Sequence, residues 1–136
     1  MSRTTLILAA TGVLVLMAGW VVANPGGRFG MSRDGLTTYD RLPFPFVDMQ
    51  VRSDGAMRLV SKSHRIATQQ LAWLARPQPE VLIIAAGWQG DVRGPARLGD
   101  LERTRIVALP TPRALALFNS LRDQGVRVAI HVHSTC

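Results

Sequence analysis

Apolar residues fall into four arrangements along this chain, and each predicts a different element. Thr4–Ala23 is 20 residues without a charge, and a helix of about 20 apolar residues crosses the hydrocarbon layer of a bilayer. Asn24-Pro25-Gly26-Gly27 ends the run, with Trp20 where an interfacial aromatic is expected. A period of two follows. Val47, Met49 and Val51 alternate with Asp48, Gln50 and Arg52, turn at Ser53-Asp54-Gly55 and continue into Ala56–Val60, which predicts a hairpin with Asp48 and Gln50 on its polar side. Val81–Ala86 is apolar on both faces, as a central buried strand is. Last, Ala114, Leu117, Phe118 and Leu121 recur at helical spacing and predict an amphipathic helix. Gly125 closes that helix, and the β-branched run Val126, Val128, Ile130 and Val132 leads back across a sheet.

Local signals place the remaining segments. Leu36–Asp40 reads as a short strand and Pro43–Phe46 as extended backbone, since a proline biases its predecessor away from helix. Ser63 is placed to cap a helix to about Arg76, with Ala67, Leu71 and Leu74 inward and Pro77 ending it. Ile106–Leu109 is a further strand. Thr111 is the expected N-cap of the last helix, with Pro112 at its first position. Gly87–Arg105 is the longest irregular piece, and long loops in compact domains are more often functional than idle. The sum is an α/β chain: a transmembrane helix within residues 1–24, a flexible linker over 25–35 and a small domain over 36–136. That domain has a mixed β-sheet, a β-hairpin and two main helices.

A cleavable signal peptide competes with the retained anchor, because Val21-x-Ala23 suits a cleavage site. The run is longer than the usual signal core of about 7–15 residues, which favours the anchor. Thr5, Ala9, Gly12, Gly19 and Ala23 fall near one face of the helix, where small side chains let another helix approach. Arg28, Arg33 and Arg41 on one flank against Arg3 on the other slightly favour a cytoplasmic domain, with the periplasm as the alternative.

Charge narrows the partners. Sixteen basic against nine acidic residues give +7, and every basic residue but Lys62 is arginine. A basic domain beside a bilayer attracts anionic headgroups or an acidic protein surface. The arginines are scattered singly without interleaved aromatics, which argues against nucleic acid. A single cysteine rules out an internal disulfide framework.

The run Pro110-Thr-Pro-Arg-Ala-Leu-Ala-Leu-Phe-Asn-Ser-Leu-Arg-Asp-Gln-Gly-Val-Arg-Val-Ala129, with His133-Ser-Thr-Cys136, resembles the last third of a small α/β domain of unknown function, family 498. That family includes archaeal stand-alone proteins, a mitochondrial complex I assembly factor and an adipogenesis-associated Mth-type protein. The resemblance covers residues 36 to 136 and implies a cytosolic or matrix setting and, by analogy, complex assembly. Relatives often carry Gly-x-Gly after the buried strand; here Ala85 replaces the first glycine and Gly87 matches the second. Asn119 after Phe118 matches the family's aromatic–Asn pair, for which a bond to a neighbouring loop is the expected role. His133 and Cys136 are shared with a relative; His131 is not.

Three groups of residues are candidates for chemistry or contact. Gly87–Gly90 lacks a phosphate-binding fingerprint and reads as a tight turn. Beside it, an exposed Trp88 with Arg93, Arg97, Arg103 and Arg105 would make a protein contact, because Trp and Arg anchor interfaces. His131, His133 and Cys136 could place two imidazoles on one side of a strand, but a metal site would lack its fourth ligand. Cys136 as a nucleophile with His133 as base needs the imidazole within hydrogen-bond reach and a group to orient it, and fraying and the nearby terminal carboxylate count against the thiolate. The expectation is a non-enzymatic accessory subunit or assembly factor binding a membrane complex, without metal or cofactor. Its contacts are expected at Ala9, Gly12, Gly19, Trp88 and the loop arginines. The alternative is a small enzyme or ligand-binding domain using the Gly87 loop or the histidines.

Overall fold

The structure is a computed structural model that describes residues 1–90 and 103–135. Helix α1 (Arg3–Ala23) is capped by Ser2, whose hydroxyl accepts the Thr5 N–H at 3.1 Å. None of its residues is buried. A helix that is apolar and exposed on every side suits a bilayer and not water, and α1 is long and apolar enough to cross one.

The segment after α1 is not the flexible linker its glycines suggest. Asn24 is fully buried; its backbone N–H and side-chain Nδ2 both reach the Trp20 carbonyl, and its Oδ1 accepts the Met31 N–H at 2.8 Å. Trp20 Nε1 donates to the Arg41 carbonyl at 2.9 Å. Phe29 packs against Tyr39 and Phe118 at ring distances of 4.8 and 5.1 Å. Gly30 backs onto Asn24 so closely that a β-carbon there would overlap the Asn24 amide. Gly30→Ala is therefore expected to destabilise the domain by about 1–3 kcal/mol through overpacking. A denaturation curve of the full chain in micelles that matches wild type would show that the junction yields.

The domain has two sheets. Strands β1 (Leu36–Tyr39) and β2 (Leu42–Pro45) pair antiparallel through a turn in which Asp40 and Arg41 both have positive φ, the twist that suits a two-residue hairpin. The main sheet joins β3 (Asp48–Val51), β4 (Met57–Val60), β5 (Val81–Ala85), β6 (Arg105–Leu109) and β7 (Val128–Val132) in the order β4-β3-β7-β5-β6. The chain's last strand thus lies at the centre, antiparallel to β3 and parallel to β5. Helix α3 (Thr111–Asp123) carries the chain from β6 over to β7. It covers one face of the sheet, where Phe118 meets the core formed by Met49, Val51, Ile83, Ile130 and Val132. On the other face Leu71 and Leu74 cover Leu82, Ile84 and Ala129.

The architecture is the α/β class read from the pattern, with three local differences. The helix expected over 63–76 is only α2 (Thr68–Leu71), followed by a tighter 3-10 turn over Ala72–Ala75. Ser63 does not cap it: its hydroxyl bonds the Arg65 backbone, and Ala67 is exposed. Pro110, not Thr111, holds the N-cap position of α3, because Thr111 turns inward and donates to the His133 carbonyl at 3.0 Å. Finally, Leu115 is buried beside Ala114 and Phe118 while Leu117 and Leu121 are half-buried, so the inward face of α3 is rotated from the expected stripe.

Candidate functional site

The polar side of the predicted hairpin is buried. In β3, Met49 and Val51 face α3, so Asp48 and Gln50 face the α2 layer; both are fully buried. In β7, Ile130 and Val132 face α3, and His131 and the next alternate residue, His133, join Asp48 and Gln50 on the opposite side. Strand register then builds two rows across the sheet. Arg58 of β4, Gln50 of β3 and His131 of β7 are direct cross-strand neighbours. Asp48 and His133 form the second row, tied by hydrogen bonding.

Each row is held by short bonds. Arg58 Nε donates to Gln50 Oε1 at 2.8 Å, and the guanidinium lies 4.5 Å above the Trp73 ring. Gln50 Nε2 donates to the Gln70 carbonyl at 2.7 Å and faces His131 Nδ1 at 3.0 Å. Asp48 Oδ2 lies 2.7 Å from His133 Nδ1, and Asp48 Oδ1 accepts the Ser134 backbone N–H at 3.0 Å and its hydroxyl at 3.3 Å. The His64 ring sits 5.3 Å from that of His133. Sequence reasoning missed Asp48 as the group that orients His133, and Gln50 as the partner of His131. A two-residue alternation marks two faces but does not say that the second is covered.

Burial lowers the pKa of His131 to about 4, partly offset by the Asp48 charge. The folded value lies below the unfolded one near 6.5, so the unfolded chain takes up this proton first as pH falls. His131 thus leaves stability untouched above about pH 6.5 and lowers it progressively down to about pH 4, by roughly 3 kcal/mol in all. Unfolding midpoints measured from pH 7.5 to 4 should show this decline, and Gln replacing His131 should flatten it. A decline of equal size in that variant would assign it elsewhere.

The other sequence candidates separate. Cys136, Arg93 and Arg97 lie outside the described residues, and with Cys136 the nucleophile reading. Among the described residues, no group of three His, Cys, Asp or Glu side chains is arranged to hold a metal ion. Trp88 is half-buried and not exposed; it lines a cleft with Phe29, Pro112, Leu115 and Asn119, and its indole N–H has no partner. Arg103 and Arg105 are exposed. Arg105 pairs with Val81 at the start of β5, whereas Trp88 follows its end, so the strand's length of about 13 Å separates them. Of the expected Trp–Arg contact, Arg105 thus lies at the opposite end of β5 from Trp88, while Arg93 and Arg97 fall outside the described residues. Gly87 has φ 89° and its carbonyl accepts the Gly90 and Thr111 N–H groups, a tight turn off the strand. Asn119 makes paired bonds to the Phe29 N–H and carbonyl at 2.9 and 2.7 Å, fastening α3 to the segment after α1. Ala9, Gly12 and Gly19 are exposed on α1, with open space at both glycines.

No family model and no curated protein matches the chain. Solved structures do. MT938 superposes with a TM-score of 0.69 at 30% identity, covering 80% of this chain and 98% of that one. A conserved hypothetical protein from Pyrococcus horikoshii OT3 gives 0.68 at 22% identity over 80% and 99% of the two chains. An outer membrane protein from Bartonella henselae gives 0.66 at 19% over 83% and 99%. At these identities the last two show a shared fold alone.

Proposed function

We propose, from the premise that this chain is of one family with MT938, that it is a single-span membrane protein and a non-catalytic accessory subunit or assembly factor of a membrane complex. One observation carries the reading: α1 is exposed along its whole length, yet its end is built into the domain. A flexible tether is enough to keep a domain near a membrane. Asn24, Trp20 and Phe29 do more, because together they set the direction of the domain relative to the helix. Such a junction serves a protein that offers two surfaces to one partner, the first inside the bilayer and the second outside it.

Inside the bilayer the surface is the face bearing Ala9, Gly12 and Gly19, where a partner helix can approach closely. Outside it, the half-buried Trp88 in its cleft is the anchor, and the arginines supply charge complementarity to an acidic partner surface. The likeness to family 498 makes respiratory-complex assembly the concrete version, and membership of that family is part of the proposal. Arg28, Arg33 and Arg41 on the domain's flank of the helix support a cytoplasmic side for the domain and suit anionic headgroups there. Periplasmic exposure is the alternative; the Bartonella henselae neighbour, described as an outer membrane protein, is on its side. Protease added to intact spheroplasts decides: cleavage of the domain means periplasm.

The deciding experiment is purification from native membranes in gentle detergent, with mass spectrometry of what accompanies the chain. The expected result is a defined set of membrane proteins at fixed stoichiometry. Leu at both Gly12 and Gly19 should reduce their recovery at least tenfold while the chain stays in the membrane. A chain that purifies alone, or a Leu variant that keeps its partners in full, would reject the reading.

A further inference from the structure

The two buried imidazoles present complementary unsatisfied atoms to the α2 side of the sheet. His131 is 2% exposed and His133 not at all, and the Nε2 of each is buried without a hydrogen-bond partner. The other ring nitrogens decide what these atoms are. Gln50 has no freedom in the orientation of its amide. Arg58, which only donates, approaches one end, and the Gln70 carbonyl, which only accepts, approaches the other. The end facing His131 Nδ1 is therefore NH2, so Nδ1 accepts and the neutral imidazole carries its hydrogen on Nε2. Asp48 reverses the arrangement at His133. Its carboxylate accepts from Nδ1–H, which leaves the neutral ring's lone pair on Nε2.

We propose that His131 and His133 form a binding site for one small protic molecule, which accepts from His131 Nε2–H and donates to His133 Nε2. His133 follows the last residue of β7, and residues two apart in extended backbone lie about 6.6 Å apart on the same side, so the two rings are neighbours on the α2 face of the sheet. Water has the required donor and acceptor, and a buried water typically satisfies about three such groups. A hydroxyl of a small organic ligand offers the same chemistry. With it the polar chain is continuous: Arg58, Gln50, His131, the guest, His133, Asp48 and Ser134, spanning β4, β3 and β7. The same polarity excludes a metal ion shared by the two Nε2 atoms. His131 presents a hydrogen there, and a metal needs the lone pair. The site goes beyond the accessory reading and does not depend on it.

The test is nitrogen-15 spectroscopy of the full chain in micelles with labelled histidine, His64→Gln removing the third ring. The expected spectrum has one imidazole protonated at Nε2 and the other at Nδ1. Gln50→Leu should release the first tautomer and leave the second unchanged. His131 Hε2 should show a cross-peak to bulk-exchanging water if the guest is water, or to a non-protein resonance if a co-purified ligand occupies the site. Added Zn2+ should leave both rings unaltered. Identical tautomers, a His131 Nε2 without its proton, the absence of any cross-peak to a guest, or Zn2+ taken up by both rings would each overturn the proposal.

Discussion

Asp48→Ala is expected to cost about 3–5 kcal/mol, because it leaves three buried donors without their acceptor and each such donor costs about 1–3 kcal/mol. Asp48 is fully buried, and its two oxygens take the His133 ring and both donors of Ser134. Alanine strands all of them inside the sheet, away from the protein acceptor they now share. Asp48→Asn keeps one acceptor oxygen and is expected to lose less. Denaturant unfolding of the full chain in micelles measures both. A loss under 1 kcal/mol for Asp48→Ala would mean that the cluster rearranges around the gap, and the rigid two-row arrangement would have to be given up.

The second large effect is expected at Phe118, where alanine should cost about 3–5 kcal/mol by removing a buried ring and leaving a cavity. Phe118 is fully buried and meets Phe29 edge-on at 5.1 Å and Tyr39 at 6.4 Å. The loss has a second reading, since Phe29 ties the segment after α1 to the domain. Limited proteolysis of Phe118→Ala should therefore cut within residues 24–35 sooner than in wild type. A destabilised variant with wild-type cleavage there would show that the Asn24 and Asn119 bonds hold the junction without the aromatic cluster.

Much of this molecule is determined by nearest-neighbour chemistry, and that part is legible in the chain. An uncharged run of 20 residues dictates α1, whatever follows it. Alternation and Ser53-Asp54-Gly55 dictate the β3–β4 hairpin, and Thr111–Gly125 with its helical spacing dictates α3. The twofold apolar character of Val81–Ala86 dictates a central parallel strand. These elements carry their boundaries within a few residues of themselves.

What the tertiary structure alone decided is which polar residues lie inside. Asp48 and Gln50 have the spacing of a solvent face, and only the α2 layer, contributed by another part of the chain, turns that face into core. Asp48 meets His133 across a separation of 85 residues and Gln50 meets His131 across 81, contacts that no local window contains. The same holds for the segment after α1. Its Pro and Gly residues read as a flexible tether, because composition reports what a backbone can do. Asn24, Phe29 and Gly30 are ordered by partners at Met31, Asn119 and Phe118, and that ordering is set by packing. Local sequence determines elements because their hydrogen bonds close within a few residues; burial and tautomer depend on what the fold brings to the other side.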